Sequence, residues 1–217
     1  MNTKKKQNSH ILKKIVVNNK NLKPIRVTNI SRKSDGERFA QIALLGESVF
    51  HADDLANLWN IRNKNTLYKT LSRYVKRGLI YRIYNGLYSI KKIGEIDSYF
   101  LGIKSLHRPA YISCESVLYE HGILNQIPQV ITLVSSVSKS FFVGQKHYRS
   151  RQMRDEYLFN DSGIEIINGI RKATLVRAVA DMLYFNREKY FDSLNSKLID
   201  WTKVKKIIKD VGYQIKL

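Results

Sequence analysis

One cysteine, three prolines, few acidic residues and no long apolar run set the first limits on this 217-residue chain. Cys114 alone cannot close an intrachain disulfide, and it lacks the companion cysteines of a zinc site, which fits a reducing compartment. No stretch approaches the ~18 consecutive apolar residues of a membrane-spanning helix. The N-terminus is basic, but Lys13 and Lys14 interrupt residues 11–17, so it offers no signal-peptide core. These absences predict a cytoplasmic protein with no membrane contact. The scarcity of acid is the most informative: 18 Asp and Glu stand against 38 Lys and Arg, a net charge of +20. That excess is far more than solubility requires and predicts a polyanionic partner, nucleic acid first. With 43% hydrophobic and 11% aromatic residues, the chain can bury a core and is no disordered basic tail.

The charge is unevenly placed. Residues 1–34 hold ten basic side chains and no acidic one; residues 35–92 hold ten and five; residues 93–217 hold 18 and 13. The first segment, rich in Asn, Lys and Ser, reads as a largely flexible arm with a short helix at 11–17, either lying along phosphates or simply solvated.

From residue 35 the texture becomes amphipathic. Phe39, Ile42, Ala43 and Leu45 predict a helix over 37–45 stopped by Gly46. A second helix starts near Ala52 with Asp53 and Asp54 in its first turn, where the helix dipole favours negative charge. After the polar turn 60–63, a third helix runs over 64–77, closed by Gly78. Its Leu67, Leu71 and Val75 are expected to face the core. Its other side presents Asn65, Tyr68, Lys69, Ser72, Arg73 and Lys76 and carries no carboxylate. Two β-rich runs, 79–84 and 87–90, flank Asn85-Gly86, a strong hairpin signal through a type I′ turn in which both central residues take positive φ. Helix, turn, helix and hairpin is the order of a winged helix-turn-helix, which lays its second motif helix in the major groove. A small helical protein–protein module with a basic surface is the alternative.

Within such a module Lys69 and Arg73 suit guanine edges and Asn65 an adenine. Lys64, Lys76, Arg77 and Arg82 suit phosphates, which position without reading sequence. Tyr68, Ser72 and Asn85 complete the candidate DNA-binding set.

Residues 93–217 are nearly balanced in charge. Helices are expected at 99–106, 115–121 (stopped by Gly122), 174–184 with Leu175, Val179, Met182 and Leu183 inward, and 203–209. Segment 111–113 reads as extended; 129–135, 141–143, 147–148 and 164–167 read as buried strands. The fold class expected is α+β: an arm over 1–34, a winged helix-turn-helix over 35–92, and an α+β C-terminal domain over 93–217.

Three stretches carry a family resemblance. Leu71-Ser72-Arg73-Tyr74-Val75-Lys76-Arg77-Gly78-Leu79-Ile80 runs into Asn85-Gly86-Leu87-Tyr88. Tyr111-Ile112-Ser113-Cys114-Glu115-Ser116-Val117-Leu118-Tyr119-Glu120-His121-Gly122-Ile123-Leu124 is the most distinctive. The third is Ala173-Thr174-Leu175-Val176-Arg177-Ala178-Val179-Ala180-Asp181-Met182-Leu183. Over roughly residues 37–190 the chain resembles the AbiEi-type antitoxins of abortive-infection, type IV toxin–antitoxin systems. That family usually has proline-glutamate where this chain has Leu175-Val176. The resemblance implies an N-terminal winged helix that binds double-stranded operator DNA and represses its own operon, and a C-terminal domain tied to antitoxicity. It also implies a nucleotidyltransferase-like toxin countered without a stable complex. Operator DNA with inverted repeats is the expected partner, read by a homodimer or by monomers binding two half-sites cooperatively.

Enzyme readings have less behind them. His10, His51, His107, His121 and His147 show no metal-ligand spacing. Cys114 and His121, two helical turns apart, would be ~10 Å distant, too far to pair. Asp155, Glu156, Asp161 and Glu165, with Lys172, suggest a divalent-metal nuclease as an alternative, and a nonspecific nucleic-acid binder with a partner-binding C-terminal domain is another. No GxGxxG or GxxxxGK[ST] run is present, so no cofactor is expected, and no metal.

Overall fold

A computed structural model of the chain describes residues 34–186 and 196–215. The leader through residue 33, with the helix expected at 11–17 and His10, lies outside the described residues. The chain divides into two compact units, Met1–Gln41 and Ile42–Leu217, and its secondary structure mixes helices with two sheets.

Helix α1 (Asp35–Leu44) starts two residues earlier than hydrophobic spacing suggests. Ser34 is the cause: its Oγ accepts the Glu37 N–H at 3.2 Å while the Glu37 carboxylate accepts the Ser34 N–H at 2.6 Å, a reciprocal capping box. Strand β1 (Val49–His51), α2 (Ala52–Trp59), α3 (Lys64–Lys76), β2 (Tyr81–Tyr84) and β3 (Leu87–Ser89) follow. β1 was not anticipated, because three residues are too few to show alternation. It pairs antiparallel with β3, giving a three-stranded sheet of order β1-β3-β2.

The hairpin joining β2 and β3 forms at Asn85-Gly86 but not through a type I′ turn. Gly86 has φ +90, while Asn85 is not among the non-glycine residues of positive φ. A single positive φ at the second turn position accompanies a register shift between Arg82 and Tyr84.

Ile42, Phe50, Leu55, Trp59, Leu67, Leu71, Tyr74, Ile80 and Tyr88 form one apolar cluster. Tyr74, not Val75, is the third core-facing residue of α3: it is fully buried and Val75 only partly so. At 3.6 residues per turn a strict four-residue step drifts off the buried stripe, and the step of three from Leu71 to Tyr74 corrects it.

After a 3₁₀ turn at Ile93–Glu95 come α4 (Ser98–Leu106), β4 (Ala110–Ile112), α5 (Glu115–Glu120), β5 (Val130–Ser135), β6 (Lys139–Val143) and β7 (Lys146–Gln152). Then follow α6 (Asp155–Leu158), β8 (Ile164–Ile167), β9 (Ile170–Ala173), α7 (Leu175–Phe185) and α8 (Trp201–Val211). The strands make a mixed six-stranded sheet of order β6-β7-β5-β4-β9-β8. β9 and α6 escaped the sequence pattern, β9 because Arg171 and Lys172 break its apolar run.

Segment 164–167 is a strand but not a buried one: β8 is an outer strand, and Ile166 and Ile167 are exposed. The outer strand β6 likewise leaves Phe142 exposed. Helix α7 begins cleanly without proline-glutamate, since the Thr174 hydroxyl accepts the Arg177 N–H at 3.3 Å as an N-cap. The larger apolar cluster centres on Tyr111, Ile112, Val117, Leu118, Leu133, Tyr148, Val179 and Met182, and takes in Val49 and Leu87 of the small sheet.

Candidate nucleic-acid interface

Helix α3 is defined at both ends by side chain and backbone. The Asn63 carboxamide accepts the Thr66 N–H at 3.1 Å, and Gly78 leaves the helix at φ +69. Leu67, Leu71 and Tyr74 anchor one side, with Tyr74 edge-on to Trp59 at 5.7 Å between ring centroids. Thr70, also on the buried side, turns its hydroxyl back to the Thr66 carbonyl at 2.9 Å.

The remaining surface of the helix is polar. Lys64, Asn65, Tyr68, Lys69, Ser72, Arg73, Lys76 and Arg77 are all exposed. Six of them, Asn65, Tyr68, Lys69, Ser72, Arg73 and Lys76, border an open concavity of about 590 Å³. These six expected site residues therefore lie together on one face, while Lys64 and Arg77 stand at the two ends of the helix outside it. Arg82 and Asn85 are exposed on the hairpin. Arg82 stands opposite Tyr88 in the strand register. Burial pushes the Tyr88 phenol above its ordinary range, and the Arg82 cation opposes the shift.

What sequence reading missed is how this segment is held. His51 stacks on His107 with centroids 3.6 Å apart, its Nε2 lies 2.7 Å from the Lys104 carbonyl, and burial lowers its pKa. Lys104 pairs with Glu47 at 2.6 Å, and the Tyr84 hydroxyl donates to the Ser105 carbonyl at 3.0 Å. No local spacing signals contacts between residues this far apart in sequence.

Of the residues of the enzyme alternatives, Glu165 stands opposite Lys172 in the β8–β9 register, and Asp155 and Glu156 share the first turn of α6. Asp161 pairs with Arg171 at 2.6 Å and Lys172 with Glu120. Among the described residues no three His, Cys, Asp or Glu side chains converge as a metal site. His121 Nδ1 turns to the Val117 carbonyl at 2.9 Å. Cys114 is buried, and that burial pushes its thiol well up. No helix of the described residues is long and apolar enough to cross a membrane. No family model matches this chain, and no curated protein is significantly similar to it in sequence.

Proposed function

We propose that residues 35–92 form a winged helix-turn-helix that grips double-stranded DNA through α3 and the β2–β3 hairpin, and that the protein is a cytoplasmic transcriptional repressor of its own operon. The observation that carries this reading is the carboxylate-free face of α3. Asn65, Tyr68, Lys69, Ser72, Arg73 and Lys76 stand exposed on a helix whose opposite side is locked into a core. Helix, strand, helix, helix and hairpin follow in the order such a module uses. Lys69, Arg73 and Asn65 read base edges in the major groove, while Lys64, Lys76, Arg77 and Arg82 hold phosphates. The antitoxin role, opposing a nucleotidyltransferase-like toxin, rests on the resemblance of the three sequence stretches.

Footprinting on the DNA upstream of the protein's own gene tests the proposal. Protection of paired, helically phased repeats, weakened by Arg73→Ala and steeply dependent on salt, is the expected result. Binding indifferent to sequence would overturn the repressor reading.

A further inference from the structure

One hairpin of the second half carries cations and no carboxylate. Residues 93–217 hold 18 basic and 13 acidic side chains. Five of the basic ones, Lys139, Lys146, Arg149, Arg151 and Arg154, fall within residues 138–154, a stretch without a carboxylate. Outside that stretch the second half is neutral, with thirteen of each sign.

Strands β6 and β7 form this hairpin at the edge of the six-stranded sheet, and the pleat sorts its aromatic rings onto two faces. Phe141 and Tyr148 pack together on the core side. Phe142 and His147, opposite one another in register, stack on the outer side at 4.3 Å and within 10° of parallel. Phe142 is 67% exposed. The Ser140 hydroxyl lies 2.7 Å from His147 Nε2 and fixes that ring. Arg149 faces Ser140 across the ladder, is exposed, and makes no ion pair among the described residues. Two residues on, Arg151 is paired with Glu115 and lies 5.5 Å over the Phe185 ring. There an open concavity of about 410 Å³ is bordered by Ser138, Arg149, Arg151, Gln152, Phe185 and Asn186.

We propose that this face binds single-stranded RNA, with a base stacked on Phe142 and the phosphates running past Arg149 into the concavity. An exposed flat ring on the same face as Arg149, a cation with no ion pair among the described residues, suits unstacked bases, which a duplex keeps within its own stack. Ser138, Gln152 and Asn186 supply neutral hydrogen-bonding groups of the kind a ribose 2′-hydroxyl meets. A cross-strand aromatic pair also stabilises a hairpin, but that role asks for neither the cations nor the concavity. The surface is separate from α3, so it stands or falls independently of the operator reading.

The test is fluorescence anisotropy with a fluorescein-labelled 12-nucleotide single-stranded RNA and the full chain carrying Lys69→Ala and Arg73→Ala, which removes the two base-reading cations proposed on α3 and serves as the common parent for the variants below. Adding Phe142→Ala should weaken binding about tenfold, and Arg149→Glu should do so as well. Phe142→Trp should retain affinity, because any large ring offers a stacking face. Phe142 is exposed, so losing its stack on His147 should lower the melting temperature only slightly and leave the chain folded. Unchanged binding by Phe142→Ala, or equal losses in Phe142→Ala and Phe142→Trp, would overturn the proposal. Tighter binding of single-stranded DNA of the same sequence would overturn the assignment to RNA.

Discussion

Arg177 and Asp181, one turn apart on α7, form an ion pair at 2.8 Å that solvent does not reach. Every polar direction around it is filled. The Arg177 guanidinium donates to the carbonyls of Asn160, Ser162 and Tyr157 and to the Tyr111 hydroxyl, at 2.8–3.1 Å. Asp181 accepts from Ser113 at 2.6 Å and from Tyr213. Burial opposes the charged guanidinium, but Asp181 holds its pKa above the ordinary value. The pair thus ties β4, the loop around residue 160 and the segment after α8 to a single helix.

Removing one partner leaves the other charge buried and unpaired. Arg177→Met should therefore cost about 3–5 kcal/mol in urea unfolding. A loss below ~1 kcal/mol would show that the network contributes little.

Gly102 on α4 lies against the Tyr148 ring: a Cβ there would meet Tyr148 Cε1 at 2.5 Å and Cδ1 at 2.6 Å. The ring cannot retreat easily, being fully buried with its hydroxyl donating to the Ser98 carbonyl at 3.0 Å. Burial pushes that phenol up to about 12, so it remains a donor at neutral pH. Gly102→Ala should gain about 1 kcal/mol of helix propensity and lose more to overpacking, about 1–3 kcal/mol or above. A rise in melting temperature would refute the close approach.

The His51–His107 stack makes a pH dependence. His51 is held below the ordinary imidazole value of 6.5 in the folded protein, chiefly by burial. The unfolded chain therefore takes up a proton before the folded one does. Stability from this group is complete above 6.5 and declines as pH falls below it. His51→Gln should flatten the melting-temperature profile between pH 7 and 5; an unaltered profile would remove His51 as its cause.

On α3, surface and core substitutions should separate binding from folding. Lys69→Ala and Arg73→Ala change exposed side chains and should shift stability by no more than ~0.5 kcal/mol, while lowering duplex affinity and reducing its salt dependence. Leu71→Ala, at a fully buried position, should cost about 2–5 kcal/mol. Equal effects of the two kinds of substitution on folding would mean that the exposed face is structural.

Much of the local structure was legible because it is written in short-range physics. Gly78 and Gly122 end their helices at positive φ as glycine can, and the exposed face of α3 follows from its 3.6-residue period. Where the reading failed, a longer-range or rarer contact decided. Ser34 and Glu37 moved the start of α1, β1 exists only through its pairing with β3, and the Asn85-Gly86 turn yields to a register shift.

Sequence alone determined the basic character of the chain, the alternation of its helices and strands, and the candidate residues on α3, since charge and periodicity are local properties. The tertiary structure decided which apolar strands are covered. β6 and β8 read like β5 but lie at the sheet's edges, so Phe142 and Ile166 reach solvent. It also decided which charges are spent inside, as Arg177 is, and which remain outside, as Arg149 does. Burial depends on neighbours brought from elsewhere in the chain, and no window of sequence contains them.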